Sequence, residues 1–134
     1  MIRLGKKVEY ALMALVYMSK KSENELTTAR ELSDKLEISL ELMGKLLQVL
    51  VKNHFIASVQ GVKGGYYLAK PIESINMGAV IKAIDGPIKI TNCMNGDICS
   101  RTGFCNIREQ MQSIQSEIIN LFEMITLKDF AEKN

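Results

Sequence analysis

Apolar residues recur every three or four positions in the first twenty residues, which predicts an amphipathic first helix. The positions that make this pattern are Leu4, Val8, Leu12, Leu15 and Met18. A second, shorter helix is predicted to begin after Thr27 or Thr28. Glu31 stands three residues after Thr28, which is the spacing of a capping box.

The segment "LELMGKLLQVLVKN" predicts a third helix with one apolar and one polar face. The apolar positions are Leu42, Leu46, Val49 and Leu50, and the polar ones are Glu41, Lys45, Gln48 and Lys52. Two helices joined by a tight turn, of about 9 and 13 residues, form a helix-turn-helix candidate. Taken alone, the pattern is more typical of two packed amphipathic helices in any α protein.

The next segment, "FIASVQGVKGGYYLAKP", changes that balance because its residues alternate on either side of a glycine-rich centre. This pattern predicts a β-hairpin. A hairpin directly after a helix-turn-helix is a winged helix, a fold that binds DNA. The glycines allow close approach to a phosphate, and Lys63 adds a positive charge.

The predicted DNA-facing residues come from both helices and from the wing. Residues near the start of the third helix are included because this end usually enters the major groove. The predicted set is Thr28, Ser39, Glu41, Lys45, Gln48, Ser58, Gln60, Lys63, Gly64 and Tyr66.

The second half of the chain predicts a short helix and then a long one. "SINMGAVIKAIDG" forms the short helix, with Ser74 or Asn76 as its cap and Gly86 at its end. A heptad seam follows, which docks either on its own domain or on a second copy; we favour a homodimer. The seam consists of Ile107, Met111, Ile114, Ile118, Leu121 and Ile125.

The fold class predicted by these elements is mainly α with a small hairpin wing. We expect a winged helix-turn-helix over residues 1–71. Residues 72–134 are expected to form the short helix, a cysteine loop and a dimerisation helix.

The distribution of charge along the chain makes its first half the better candidate for binding a polyanion. Residues 1–70 contain 11 Lys and Arg against 7 Asp and Glu, a net charge of +4, whereas residues 71–134 contain 6 against 8, a net charge of −2. The chain has no phosphate loop, no paired catalytic carboxylates and no nucleophile–base motif, so we expect no enzyme. No apolar run suggests a membrane span or a secretory signal, so we expect a cytoplasmic protein.

All three cysteines of the chain lie in "CMNGDICSRTGFC", with five residues between successive thiols. Three thiols leave one unpaired in any disulfide scheme, and structural zinc usually takes four ligands. Iron–sulfur clusters accept three cysteines and a different fourth ligand. A thiol switch without a cluster and an iron–sulfur electron carrier stay open as alternatives.

These segments together resemble the Rrf2 family of winged-helix transcription regulators, of the IscR and NsrR kind. The resemblance rests on "MIRLGKKVEYALMAL", the helix-turn-helix, "SVQGVKGGYYLAK", "IKAIDGPI" and the cysteine spacing. It implies a homodimer that binds double-stranded promoter DNA. It also implies one 2Fe–2S or 4Fe–4S cluster per subunit on Cys93, Cys99 and Cys105, which would sense cluster status, iron, nitric oxide or redox stress.

The chain departs from the family pattern at three positions. Arg108 stands where IscR-like members have a histidine ligand, so the resemblance points instead to Glu9 of the partner subunit as the fourth ligand. Gly44 replaces a glutamate of the third helix, and Gln60 replaces a common arginine of the wing. The base preference of relatives therefore does not transfer to this chain.

Overall fold

The computed structural model describes residues 3–91 and 103–133. Six α-helices and one two-stranded antiparallel hairpin lie in this part of the chain. In order they are α1 (Lys6–Ser19), α2 (Ala29–Leu36), α3 (Leu40–Lys52), β1 (Ile56–Val59), β2 (Gly65–Leu68), α4 (Met77–Asp85), α5 (Arg108–Met124) and α6 (Leu127–Lys133), with a 3-10 helix at Ile72–Ser74.

The helix-turn-helix is present as predicted, with helices of 8 and 13 residues. Each helix begins at a side-chain cap: the Thr28 hydroxyl accepts from the Glu31 N–H at 3.0 Å, and the Ser39 hydroxyl accepts from the Leu42 N–H at 3.2 Å. Between the helices, Glu37 adopts a left-handed conformation with φ +55° and ends α2. The buried Ile38 then fixes the turn to the core.

The core face of α3 is rotated from the predicted one. Leu46 and Leu50 are buried as expected, whereas Leu42 and Val49 are only half-buried. Their places are taken by Met43 and Leu47, which are fully buried. The pattern was ambiguous because apolar residues cover more than half of the α3 circumference, so spacing alone did not decide which side faces inward.

The predicted hairpin is present and antiparallel, with Ile56 opposite Leu68 and Val59 opposite Gly65. It is fixed to the segment before α2 by two backbone hydrogen bonds. The Thr27 N–H donates to the Tyr66 carbonyl at 2.9 Å, and the Tyr66 N–H donates to the Thr27 carbonyl at 2.8 Å. The hairpin therefore has a defined position relative to the helix-turn-helix.

Helix α4 connects the first half of the chain to the second. Its cap is Asn76, whose side-chain oxygen accepts from the Ala79 N–H at 2.7 Å. It packs against α1, α3 and α5. At Gly78 a Cβ would lie 2.9 Å from Cγ of Glu123, so the absence of a side chain lets α4 and α5 approach closely.

The long helix is shorter than its heptad seam. Helix α5 ends at Met124, and Ile125 is extended because its carbonyl accepts from the Met77 N–H at 2.8 Å. Ile107 likewise lies just before the helix. The chain then turns into α6, which sequence reasoning missed and which packs against α1.

One apolar core spans both predicted segments. It contains Leu15, Leu47 and Ile56 from the first segment together with Val80 and Leu127 from the second. The division at residues 71 and 72 therefore remains a prediction about functional roles. None of the helices in the described ranges is long and apolar enough to cross a membrane.

Candidate nucleic-acid interface and cysteine segment

The polar face predicted for α3 is exposed. Glu41, Lys45, Gln48 and Lys52 all face solvent, and Ser39 is exposed at the helix start. Gly44 lies within this face, and a Cβ there would meet nothing within 4 Å. Packing inside the chain therefore does not require a glycine at this position.

A surface ion pair joins two of the predicted DNA-facing residues. Nζ of Lys45 lies 3.4 Å from Oε1 of Glu41, one helical turn away. Both side chains are strongly exposed, so the pair contributes little to stability. Lys45 can exchange this carboxylate for a phosphate without unfolding any part of α3.

The wing residues fall into two groups. Ser58, Gln60 and Lys63 are exposed, whereas Gly64 and Tyr66 are half-buried. The ring of Tyr66 packs against the core, and its backbone pairs with Thr27. The structure thus gives Tyr66 an anchoring role, and its DNA contact stays a prediction.

The surface from α3 through the wing carries positive charge without any carboxylate beyond Glu41. Residues 42–72 contain four lysines and no Asp or Glu. The lysines are Lys45, Lys52, Lys63 and Lys70, all exposed. Such a surface attracts the phosphate backbone of nucleic acid.

A polar network holds α2 against α1. The Tyr17 hydroxyl donates to Oε2 of Glu31 at 2.5 Å, and Nζ of Lys21 lies 2.6 Å from the same oxygen. The pKa of Glu31 lies below its ordinary value. The larger cause is the bond from Lys21, and the second is the hydrogen bond from Tyr17. The bond to Glu31 raises the pKa of Tyr17 and that of Lys21.

Sequence reasoning did not find this network. It placed Glu31 in a capping box, and the backbone half of that motif is present at Thr28. The Glu31 carboxylate is bonded to residues of α1 instead. The contact between Tyr17 and Glu31 depends on how α1 and α2 cross, which no local pattern contains.

The cysteine segment is described only in part. Cys93 and Cys99 lie outside the described residues, so their predicted coordination lies outside them too. Cys105 is half-buried and stands three residues before α5. Arg108 is the first residue of α5. Within residues 3–91 and 103–133, no three His, Cys, Asp or Glu side chains form a metal site.

Glu9 lies off the core face of α1, as expected from its spacing. Its side chain is 45% exposed and pairs with Lys6 at 3.2 Å. It also borders an apolar groove of about 670 Å³ between α1 and α6, whose walls include Met13 and Phe130. The carboxylate is thus accessible to a group outside its own chain.

Among the described residues, the seam from Ile107 to Leu121 is exposed at two positions and half-buried at three. Ile107 is 57% exposed and Leu121 is 55% exposed. Met111, Ile114 and Ile118 are half-buried, and they do not pack against the core. The core side of α5 is formed instead by residues such as Gln115 and Phe122. Ile125 also packs against the core, so it belongs to the fold of its own chain.

Two apolar residues on the candidate interface were not in the predicted set. Leu40 is exposed in the first turn of α3, and Val62 is exposed at the tip of the hairpin. Leu40 lies off both predicted faces of its helix. Val62 occupies a turn position where small or polar residues are usual. The position of Leu40 off both faces and the valine in a turn are the two sequence features that could have identified these residues.

Comparisons with known proteins agree with this arrangement. A family model described as Rrf2, iron-dependent transcriptional regulator, matches residues 4–133. CymR (YrzC), the global cysteine regulator of B. subtilis, is 22% identical with a TM-score of 0.81, and the match covers 100% of this chain and 99% of that one. S. aureus CymR is 24% identical with a TM-score of 0.75, covering 96% and 97%.

IscR of T. potens is 20% identical with a TM-score of 0.78, covering 98% of this chain and 88% of that chain. At such identities these likenesses show the fold, a winged helix-turn-helix followed by a long helix. The family match extends over nearly the whole chain, and its members regulate transcription and are not enzymes. The chain belongs to the Rrf2 family of transcription regulators.

Proposed function

We propose that this regulator is a homodimer whose affinity for promoter DNA is set by an iron–sulfur cluster held by Cys93, Cys99 and Cys105. The observation that carries the DNA-binding part is the exposed surface of α3 and the wing, which has four lysines and no carboxylate over residues 42–72. The three clustered thiols carry the sensing part.

The DNA-binding surface contains side chains that position the protein on the duplex and side chains that recognise bases. Lys63, at the exposed wing tip, contacts a phosphate and fixes the protein on the duplex. Gln48 lies on the exposed face of α3, and its amide both donates and accepts, so it reads a base edge in the major groove.

Measurements of DNA affinity at several salt concentrations test this surface. Lys63→Ala is expected to weaken binding about equally for all sequences and to reduce the salt slope by about 1. Gln48→Ala should change base preference without that change in slope. Lys82→Ala, which removes an exposed lysine of α4, is the control. Parental binding by both Lys63→Ala and Gln48→Ala would contradict the assigned surface.

The cysteine part rests on ligand chemistry. Thiolates are soft ligands that bind iron in clusters, and the described thiol, Cys105, is half-buried beside the start of α5. When bound, the cluster supplies a group that changes with iron supply, oxidants or nitric oxide. Glu9 of a second copy is the proposed fourth ligand, since its carboxylate is accessible and Arg108 provides no lone pair for iron.

The dimer is proposed from the partly exposed seam of α5. Apolar side chains at heptad spacing that do not pack on their own core are stabilised by burial against a second helix. A second copy provides this helix, and it also brings two DNA-binding surfaces together. Two half-sites then contribute to the affinity.

A connected set of helices links the cysteine segment to DNA. The segment joins α4 to α5, and α4 packs against both α1 and α3. A change in the cysteine segment can therefore reach the recognition helix through α4. The cysteine segment and the DNA-binding surface are thus two distinct sites joined by α4, as coupling between sites requires.

The cluster is tested by iron and sulfide analysis after anaerobic purification. Wild-type protein should contain both and absorb visible light through iron–thiolate charge transfer. Cys99→Ala should lose iron, sulfide and colour together while its helical circular dichroism is retained, because one missing thiolate opens a coordination position. A Cys99→Ala protein with a full complement of iron and sulfide would sink the proposal.

A thiol switch without a cluster is the second candidate. The fold likeness to CymR, described as a global cysteine regulator, favours it, as does the solved oxidised form of S. aureus CymR, which is 23% identical with a TM-score of 0.77. In that case wild-type protein purified without air is colourless, and its DNA affinity changes on thiol oxidation. The same anaerobic preparation therefore distinguishes the two mechanisms.

A further inference from the structure

The tip of the wing has a conformation that only glycine permits. The Gly64 N–H donates to the Gly61 carbonyl at 3.0 Å, which closes a four-residue turn around Val62 and Lys63. Gly61 has φ +113°, and a Cβ at Gly64 would collide with the Val59 carbonyl oxygen. Neither end of the turn therefore carries a side chain, and Val62 and Lys63 are the side chains at its tip.

Val62 is the most exposed large hydrophobic residue in the part of the chain that the structure describes. It is fully exposed, so burial within its own subunit does not explain it. Turns of this kind favour glycine, proline, asparagine, aspartate or serine, each for a backbone reason that valine does not share. The fold thus gains nothing from this side chain.

The surroundings of Val62 suit a nucleic acid. Lys63 is its neighbour, and no carboxylate occurs in residues 42–72. The minor groove of B-DNA is about 6 Å wide, and proteins that bind there often insert apolar side chains. A wing tip that presents one apolar and one cationic side chain suits the floor of such a groove and the phosphates beside it.

Building on the proposed DNA-binding function, we propose that Val62 enters the minor groove and selects an A·T pair at the position it contacts. In the minor groove a G·C pair differs by the amino group of guanine, a donor that projects from the groove floor. Valine cannot accept a hydrogen bond from it and leaves it without water. An A·T pair has no such group, so the contact is retained.

The test uses a duplex selected from a random library by the anaerobically purified full chain, with the wing contacts located by hydroxyl-radical footprinting. The contacted pair is then made A·T, G·C or inosine·C. Inosine lacks the amino group, so its minor groove is like that of A·T while its major groove is like that of G·C. Wild-type protein should bind the A·T and inosine·C duplexes alike, about fivefold more tightly than the G·C duplex.

Two variants separate the apolar contact from the charge. Val62→Thr keeps the side-chain shape and replaces one methyl group with a hydroxyl that can accept from guanine, so the ratio between the affinities for inosine·C and G·C should fall to about one. Lys63→Ala should weaken binding to all three duplexes and keep the ratio. An unchanged thermal midpoint for Val62→Thr is expected, because Val62 is fully exposed.

Equal wild-type affinity for G·C and inosine·C overturns the inference, as does an unchanged ratio in Val62→Thr, and in both cases the proposed function stands. Failure of wild-type protein to enrich any duplex from the library overturns the proposed function itself, and the inference with it.

Discussion

At the scale of single residues, Glu31 links α2 to α1 through its side chain. Its carboxylate is bonded to Tyr17 and Lys21, both on or beside α1, while its backbone N–H is bonded to the Thr28 cap. The residue therefore joins the first helix to the helix-turn-helix. Thr28 was predictable as a cap from its spacing, whereas the partners of the carboxylate follow from the helix crossing.

The stability contributed by Glu31 depends on pH in a defined direction. Since its pKa is lowered in the folded state, the contribution is present above the ordinary carboxylate pKa and is lost as pH falls through the folded-state value. Near pH 7, Glu31→Gln should lower the free energy of unfolding by about 1–2 kcal/mol in urea denaturation. At a pH of about 3 the difference in the free energy of unfolding between wild type and Glu31→Gln should be smaller.

Glu23→Gln is the matched control, because Glu23 is an exposed acid in the nearby connection between α1 and α2. It should change stability little at either pH. If the gap between wild type and Glu31→Gln were the same at both pH values, the carboxylate would not be responsible.

Glu9 is the second residue with a testable role, as the proposed fourth ligand. A carboxylate binds such iron more weakly than a thiolate, so this position should be the labile one. Glu9→Ala should alter the visible spectrum and shorten the lifetime of the cluster in air. Lys6→Ala removes the ion pair but keeps the carboxylate, so it should resemble wild type. Identical spectra and lifetimes for Glu9→Ala and wild type would assign the fourth position elsewhere.

At the scale of elements, the sequence predicted most helices and missed one for a physical reason. The heptad spacing runs from Ile107 to Ile125, yet α5 ends at Met124 because Ile125 pairs with α4 through the backbone. A local signal was present: Thr126 and Asp129 form a cap, with the Thr126 N–H donating to the Asp129 carboxylate at 2.8 Å. Periodicity alone extended α5 across that boundary.

The seam of α5 leads to a prediction about assembly. Leu121→Glu places a charge at a position that is 55% exposed in the single chain, so the subunit should still fold. In a dimer the charge would be buried without a partner, so sedimentation should show dissociation to monomers. Asn120→Glu adds the same charge one residue earlier, away from the seam, and should remain dimeric. A dimeric Leu121→Glu protein would remove α5 from the interface.

At the scale of the whole molecule, the winged helix, its hairpin and the exposed face of α3 could be predicted from the sequence. These features come from short-range patterns: caps, alternation and glycine positions. The rotation of α3 toward Met43 and Leu47, the docking of α6 on α1 and the Tyr17–Glu31 bond could not be predicted. They depend on packing between elements that are distant in the sequence, which short-range sequence patterns do not determine.

In the proposed mechanism, the same packing would connect sensing to DNA binding. The cysteine segment is attached to α4 and α5, and α4 contacts both α1 and α3. If Glu9 of the partner binds the cluster, α1 is held directly as well. Cluster loss would then release α1 of one subunit and the cysteine segment of the other, and the spacing of the two DNA-binding surfaces would change.

The most direct measurement is the dissociation constant for one selected duplex, determined with the same anaerobic preparation before and after iron is removed with a chelator. Ionic strength is kept constant, because it alone changes such affinities. We expect a change of about 5- to 150-fold in wild-type protein, the usual range for coupled sites. Cys99→Ala should bind like stripped wild type and be insensitive to the chelator. Equal wild-type affinity before and after iron removal would contradict control by a cluster.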